Sequence, residues 1–149
     1  MKNTTPLPWA LLAAAGLGSF AATSSGTTRA PFLLDMAADL DVSMPLVANL
    51  VSLTSITWGV TSAAGGWVSD RIGRKPVLVS GLSTLALAMA AQALAGSFFW
   101  IAVWAAAGGA CCGAFMGTIF AEVSAHVPDS QRGRAMGWVM TGQSLTLVV

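Results

Sequence analysis

The chain has 149 residues, 55% hydrophobic and 9% charged, with a net charge of +1 and a mean hydropathy of +0.72. An ordinary soluble domain carries roughly 25% charged residues, so this composition excludes a water-soluble globule. The net charge says little about partners, because membrane proteins use charge by position rather than by sum, and no nucleic-acid partner is expected.

A hydrocarbon core about 30 Å thick is crossed by about 20 apolar helical residues. The charge-free run 3–28 supplies a first span, a helix over about 8–30 with Pro8 near its start. Pro31 and the acids Asp35, Asp39 and Asp41 mark its exit. Ser43 is placed to cap a second helix over about 44–69, with Pro45 in its first turn. Pro76 suits the start of a third, over about 76–95, because its missing N–H costs nothing there. The uncharged run 76–121 is long enough for two spans. Gly96-Ser97 is the best break in it, and Phe98, Phe99 and Trp100 follow as interface anchors of a fourth helix over about 98–124. The segment HVPDSQRGR is expected to be a polar connection, capped by Asp129 or Ser130. A fifth helix starts near Ala135 and runs to Val149, where its 15 residues make about 22 Å, short of a crossing. The expectation is an all-α, polytopic membrane helix bundle. A cleaved leader over the first residues fits less well, since the apolar run is long and further spans follow.

Orientation follows from the basic residues. With five spans, Lys2, the 70–75 turn and the 126–134 connection fall on one side, with six of the seven Lys and Arg. The positive-inside rule makes that side, and the N-terminus, cytoplasmic. Only Arg29 lies outside that group.

The segment Gly65 to Pro76, GGWVSDRIGRKP, is the densest cluster of charge. Asp70, Arg71, Arg74 and Lys75 lie between the uncharged runs 42–69 and 76–121, so the segment reads as a tight turn at a membrane face. Gly66 would let the second helix approach a neighbour closely, and Gly73 permits the backbone to reverse. Asp70 stands at the negative end of a helix dipole, which is unfavourable by about 0.3–1 kcal/mol without a compensating cation. Arg74 could bridge Asp70 and Glu122, which lies at the same depth on the fourth helix. The plainer reading, a basic cytoplasmic loop, explains Arg71, Arg74, Arg132 and Arg134. It leaves Asp70 and the two glycines unexplained.

Gly66, Asp70, Arg71, Gly73, Arg74 and Lys75 occupy every fixed position of G-x-x-x-D-R-x-G-R-[RK]. The chain thereby resembles the major facilitator superfamily, in which this signature lies between the second and third helices. VPDSQRGRAMG is similar to the matching later loop of bacterial drug-efflux members. The resemblance implies the N-terminal part of a facilitator-type six-helix half. It implies a secondary active or facilitative transporter of a small organic solute, working by alternating access and exporting as efflux members do, in a bacterial inner membrane. Its partners would be the solute, the lipid bilayer and the remaining C-terminal helices. No enzymatic step, cofactor or metal is implied. The aspartate matching Asp70 is expected to meet a helix of the other half and hold the outward-facing state, so that Asp70, Arg74 and Glu122 form a conformational latch.

The resemblance places the first helix along the central cavity, making the hydroxyls of Thr23, Ser24, Thr27 and Thr28 candidate solute contacts. Bonding back to their own helix is the simpler account. Arg29 is a candidate for guiding an anionic group at the outer mouth, with snorkelling to the interface as the plainer alternative. Gly109, Gly113 and Gly117, flanked by Ala105 and Ala121, form a four-residue stripe for close helix packing. Cys111 and Cys112 read as small packers, since two adjacent thiols do not make a metal site. Asn49, Gln92 and Gln143 read as interhelix hydrogen bonders, and His126 has no assigned role.

The pattern departs from the family in two places. Many proton-linked efflux members carry R-x-x-x-G in the fourth helix, but Trp104 and Ala105 precede Gly108 and Gly109 here. No acid lies in the middle of a span, so proton antiport has no support in these residues. Facilitator transporters have about twelve helices in two halves, far more than these spans. A membrane enzyme would need a catalytic constellation at depth, and none is present. The remaining alternative is a small structural or assembly membrane protein complete at this length, which would leave the Asp70–Lys75 turn without a task.

Overall fold

The computed structural model describes residues 9–27 and 29–147. They form α1 (Trp9–Thr27), a 3-10 turn (Ala30–Phe32), α2 (Leu33–Asp39), α3 (Met44–Ile72), α4 (Arg74–Ala93), α5 (Phe98–His126), α6 (Asp129–Ser144) and a closing 3-10 turn (Leu145–Leu147). No strand occurs among the described residues, so the fold is all-α, as hydropathy implied.

The helix ends follow local chemistry. Ser43 holds the N-cap of α3 with extended backbone and Pro45 in the first turn. Its carbonyl accepts the amides of Leu46 at 2.9 Å and Val47 at 3.3 Å, and its hydroxyl makes no capping bond. Gly73 alone separates α3 from α4. Its φ of +94° lies where side chains other than hydrogen are strained, so glycine is what this turn requires. Ser97 precedes α5 with extended backbone and makes no side-chain capping bond.

Two elements differ from the sequence reading. α6 begins at Asp129 with Pro128 at the N-cap, six positions before the expected Ala135. The charges that suggested a loop instead stabilise a first turn. Asp129 lies at the positive end of the helix dipole and pairs with Arg132 at 2.8 Å, and Arg132 also donates to the Ser124 carbonyl at 2.9 Å. The second difference is α2, where the sequence reading placed only the exit from the first span. Leu33, Met36, Ala37 and Leu40 recur at helical spacing and pack on Val47, Leu50, Ile101 and Ala105.

α5 is the central helix. It packs mainly on α3 and α4 and touches α1, while α1 packs on α6. Phe115, Met116, Ile119 and Val123 of α5 meet Leu12 and Ala22 of α1 and Leu85 of α4 in the main core. The α3–α5 seam is made by absent side chains. A Cβ at Gly109 would overlap the Thr54 carbonyl and Thr57 hydroxyl, one at Gly113 the Trp58 carbonyl, and one at Gly117 the Ser62 carbonyl. The approach expected at Gly66 falls on Gly65 instead, whose Cβ would lie 2.7 Å from the Ala114 Cα. A Cβ on Gly66 would meet nothing within 4 Å among the described residues.

Three described helices are long and apolar enough to cross a membrane: Met44–Ile72, Arg74–Ala93 and Phe98–His126. α1 and α6, read from the sequence as a first and a partial fifth span, are not among them. Thr23, Ser24 and Thr27 dilute the end of α1, and α6, at 16 residues, is too short and opens on the polar Asp129, Gln131, Arg132 and Arg134. Ile56, Val60, Val79, Leu87 and Phe99 all face outward, each more than half exposed. An outer surface of that kind fits lipid rather than water.

Candidate functional site

The ion pairs of the described residues gather at one end of the bundle, where α3 turns into α4 and α5 ends. Arg74, the first residue of α4, donates from one guanidinium nitrogen to Glu122 Oε2 at 2.9 Å. Its other terminal nitrogen lies 3.5 Å from Asp70 Oδ1, one turn back on α3. The two contacts are unequal. The Arg74 and Glu122 side chains are 28% and 19% exposed, whereas that of Asp70 is 63% exposed. A charge-assisted hydrogen bond of the first kind contributes about 1.5–3 kcal/mol, and an exposed surface pair only about 0.2–1. Arg74 therefore ties α4 to α5 through Glu122 and leaves Asp70 loosely held.

The rest of the signature divides between structure and exposure. The Arg71 guanidinium lies 3.9 Å over the Trp67 ring, a cation–π contact on the outer face of α3. Lys75 is exposed. Ser69 is buried and donates back to the Gly66 carbonyl at 2.8 Å. His126, without an assigned role from sequence alone, places Nδ1 3.2 Å from Glu122 Oε1. Its four-residue offset from Glu122 was the available signal.

The candidate path residues lie at the opposite end of α1. Thr23 donates to the Ser19 carbonyl, and Thr27 reaches the Thr23 carbonyl at 3.3 Å, so both bond within their own helix. Ser24 also has a partner. Thr28 lies outside the described residues. Arg29 turns toward α3, where its guanidinium donates to Thr54 Oγ1 at 3.3 Å. Gly108 of α5 lies beside it, since a Cβ there would be 3.9 Å from an Arg29 nitrogen and 4.0 Å from Gln92 Nε2. The connection after α1 thus brings a cation to a stretch of α5 that carries none of its own. Gln92, expected to bond between helices, donates to the Ala88 carbonyl of its own helix at 3.2 Å. Below this point Cys112 is buried and donates to the Ala22 carbonyl at 3.4 Å, with Ser25 Oγ 3.6 Å from its sulfur. Both cysteines are free.

The family model of the Major Facilitator Superfamily matches residues 14–149. The chain is 28% identical to the "Uncharacterized MFS-type transporter YwfA" of Bacillus subtilis over 148 residues, 99% of this chain and 36% of that protein. It is 39% identical to "Multidrug resistance protein D" of Escherichia coli over 62 residues, 42% of this chain and 16% of that protein. It is 25% identical to the "Multi-drug resistance efflux pump PmrA" of Streptococcus pneumoniae over 132 residues, 86% of this chain and 33% of that protein. The chain thus spans about a third or less of the length of these relatives.

Proposed function

Because the chain belongs to the Major Facilitator Superfamily, we propose that it is the N-terminal part of an alternating-access transporter in which Asp70, Arg74 and Glu122 form a conformational latch. The observation that carries this reading is the inequality at Arg74. Glu122 holds the guanidinium at 2.9 Å and anchors it to α5, while Asp70 stays exposed at the end of α3 with one weak contact. A carboxylate in that state is free to exchange partners. A new contact of about 1.4 kcal/mol made in only one conformation shifts a two-state equilibrium tenfold. The helix that Asp70 meets belongs to the other half of the transporter.

The chain is an integral, multi-pass membrane protein by family and by its apolar helices. In the proposed orientation the 70–75 turn faces the cytoplasm of a bacterial inner membrane, a reading supported by the Lys and Arg excess on that side. Residues 1–149 then form a partial N-terminal half. The solute is a small organic molecule and the direction is export, as the efflux and resistance names of two relatives suggest. No chemical step is assigned. A small assembly protein leaves both the exposed Asp70 and the family match without a use.

The test is Asp70→Asn in the full-length gene product, assayed for vectorial transport in proteoliposomes. The variant inserts and melts like the wild type but transports at least tenfold less. Transport at the wild-type rate overturns the latch.

A further inference from the structure

A cavity of about 650 Å³ lies between the end of α1, α2, α4 and the start of α5, within the range of small-molecule sites. Its polar lining is Ser25, Arg29, Asp39 and Gln92, and its apolar walls include Phe32, Met36 and Met89. Arg29 is half-buried, and none of the ion pairs among the described residues includes it. A cation withdrawn from water without a counter-charge is costly. One hydroxyl, that of Thr54, is a neutral acceptor and does not offset the charge. Asp39 shares the cavity wall without pairing with Arg29 and is itself exposed to solvent.

We propose that this cavity binds an organic anion, its carboxylate or phosphate on Arg29 beside Gln92 and its apolar body against Phe32, Met36 and Met89. The guanidinium fork presents parallel donors to such a group. Methionines on two facing helices give an adaptable apolar wall, suited to bodies of varied shape. The site is lined entirely by described residues. It deepens the transporter reading by naming a ligand class, and it is tested by binding rather than by transport. The same chemistry is offered by a dissolved organic acid and by an anionic lipid headgroup.

The test uses the full-length gene product in phosphatidylcholine nanodiscs, with melting followed by tryptophan fluorescence. The probe is 2-naphthoate, and 2-naphthalenemethanol is its uncharged counterpart. Near ten times its Kd, naphthoate raises the Tm by about 2–4 °C, and the alcohol does not. Arg29→Gln removes the shift, and Arg29→Lys retains part of it. Met89→Trp, which fills the cavity and keeps the charge, also removes it, so the proposal stays testable if Arg29→Gln does not fold. Asp39→Asn keeps or enlarges the shift, because it removes a like charge from the rim. In a second arm phosphatidylglycerol replaces part of the phosphatidylcholine. A Tm rise that depends on Arg29 and suppresses the naphthoate effect supports the anion site with lipid as its source. Equal shifts in wild type and Arg29→Gln, equal effects of acid and alcohol, or loss of the shift in Asp39→Asn overturn it. Asp70→Asn keeps the naphthoate shift whatever it does to transport, which separates failure of this site from failure of the latch.

Discussion

Arg74 and Glu122, 48 positions apart in the sequence, meet at 2.9 Å and join the first turn of α4 to the last turns of α5. The contact fixes a corner of the bundle and positions the cation that Asp70 shares. Its strength sets how free Asp70 is to leave.

A double-mutant cycle measures that strength. Arg74→Gln and Glu122→Gln should each lower stability, with a coupling of about 1.5–3 kcal/mol in reversible unfolding. The Asp70–Arg74 cycle should give less, about 0.2–1 kcal/mol. Equal couplings in the two cycles would contradict the inequality on which the latch rests.

Gly65 and Gly66 are neighbours in sequence with opposite surroundings. Gly65→Ala drives a methyl group into the Ala114 backbone, which cannot swing aside. Overpacking of that kind costs about 1–3 kcal/mol, seen as a lower Tm in detergent. Gly66→Ala has open space around its Cβ among the described residues and should leave the melt of the isolated 1–149 segment unchanged. Loss of stability in Gly66→Ala but not in Gly65→Ala would place the seam on the wrong face of α3.

Gly73 makes the third prediction. A Cβ there would meet only Pro76, no closer than 3.6 Å, so space is not the constraint. The constraint is the backbone φ of +94°, where an L side chain costs about 1–3 kcal/mol. Gly73→Ala should lower the Tm while leaving Arg74 in place to pair with Glu122. An unchanged Tm would mean that the α3–α4 turn has another conformation.

What the sequence discloses, and what it hides, has a physical basis here. Charges are scarce, so Arg74 had few other partners, and its bridge to Asp70 and Glu122 was legible from depth alone. The Gly109, Gly113 and Gly117 stripe was legible because four-residue spacing keeps one helix face. Its counterpart was not: Gly65 and Gly66 are adjacent, and only the rotation of α3 about its axis decides which faces α5. α2 was hidden because Asp35 and Asp39 interleave with the Leu33, Met36, Ala37 and Leu40 stripe, so its apolar face is short and broken in sequence. The turn of Arg29 toward α3 depends on Thr54 and Gly108, 25 and 79 positions away, a meeting no local pattern encodes.

The central claim is that the Asp70–Lys75 turn lies at the cytoplasmic face of a membrane-spanning bundle, where it can gate access. Lys75 is exposed and suits a reporter. In full-length protein with Cys111 and Cys112 replaced by alanine, Lys75→Cys should resist a membrane-impermeant maleimide in intact cells and react with it in inverted vesicles. Rapid labelling from outside intact cells would contradict the orientation and, with it, the latch.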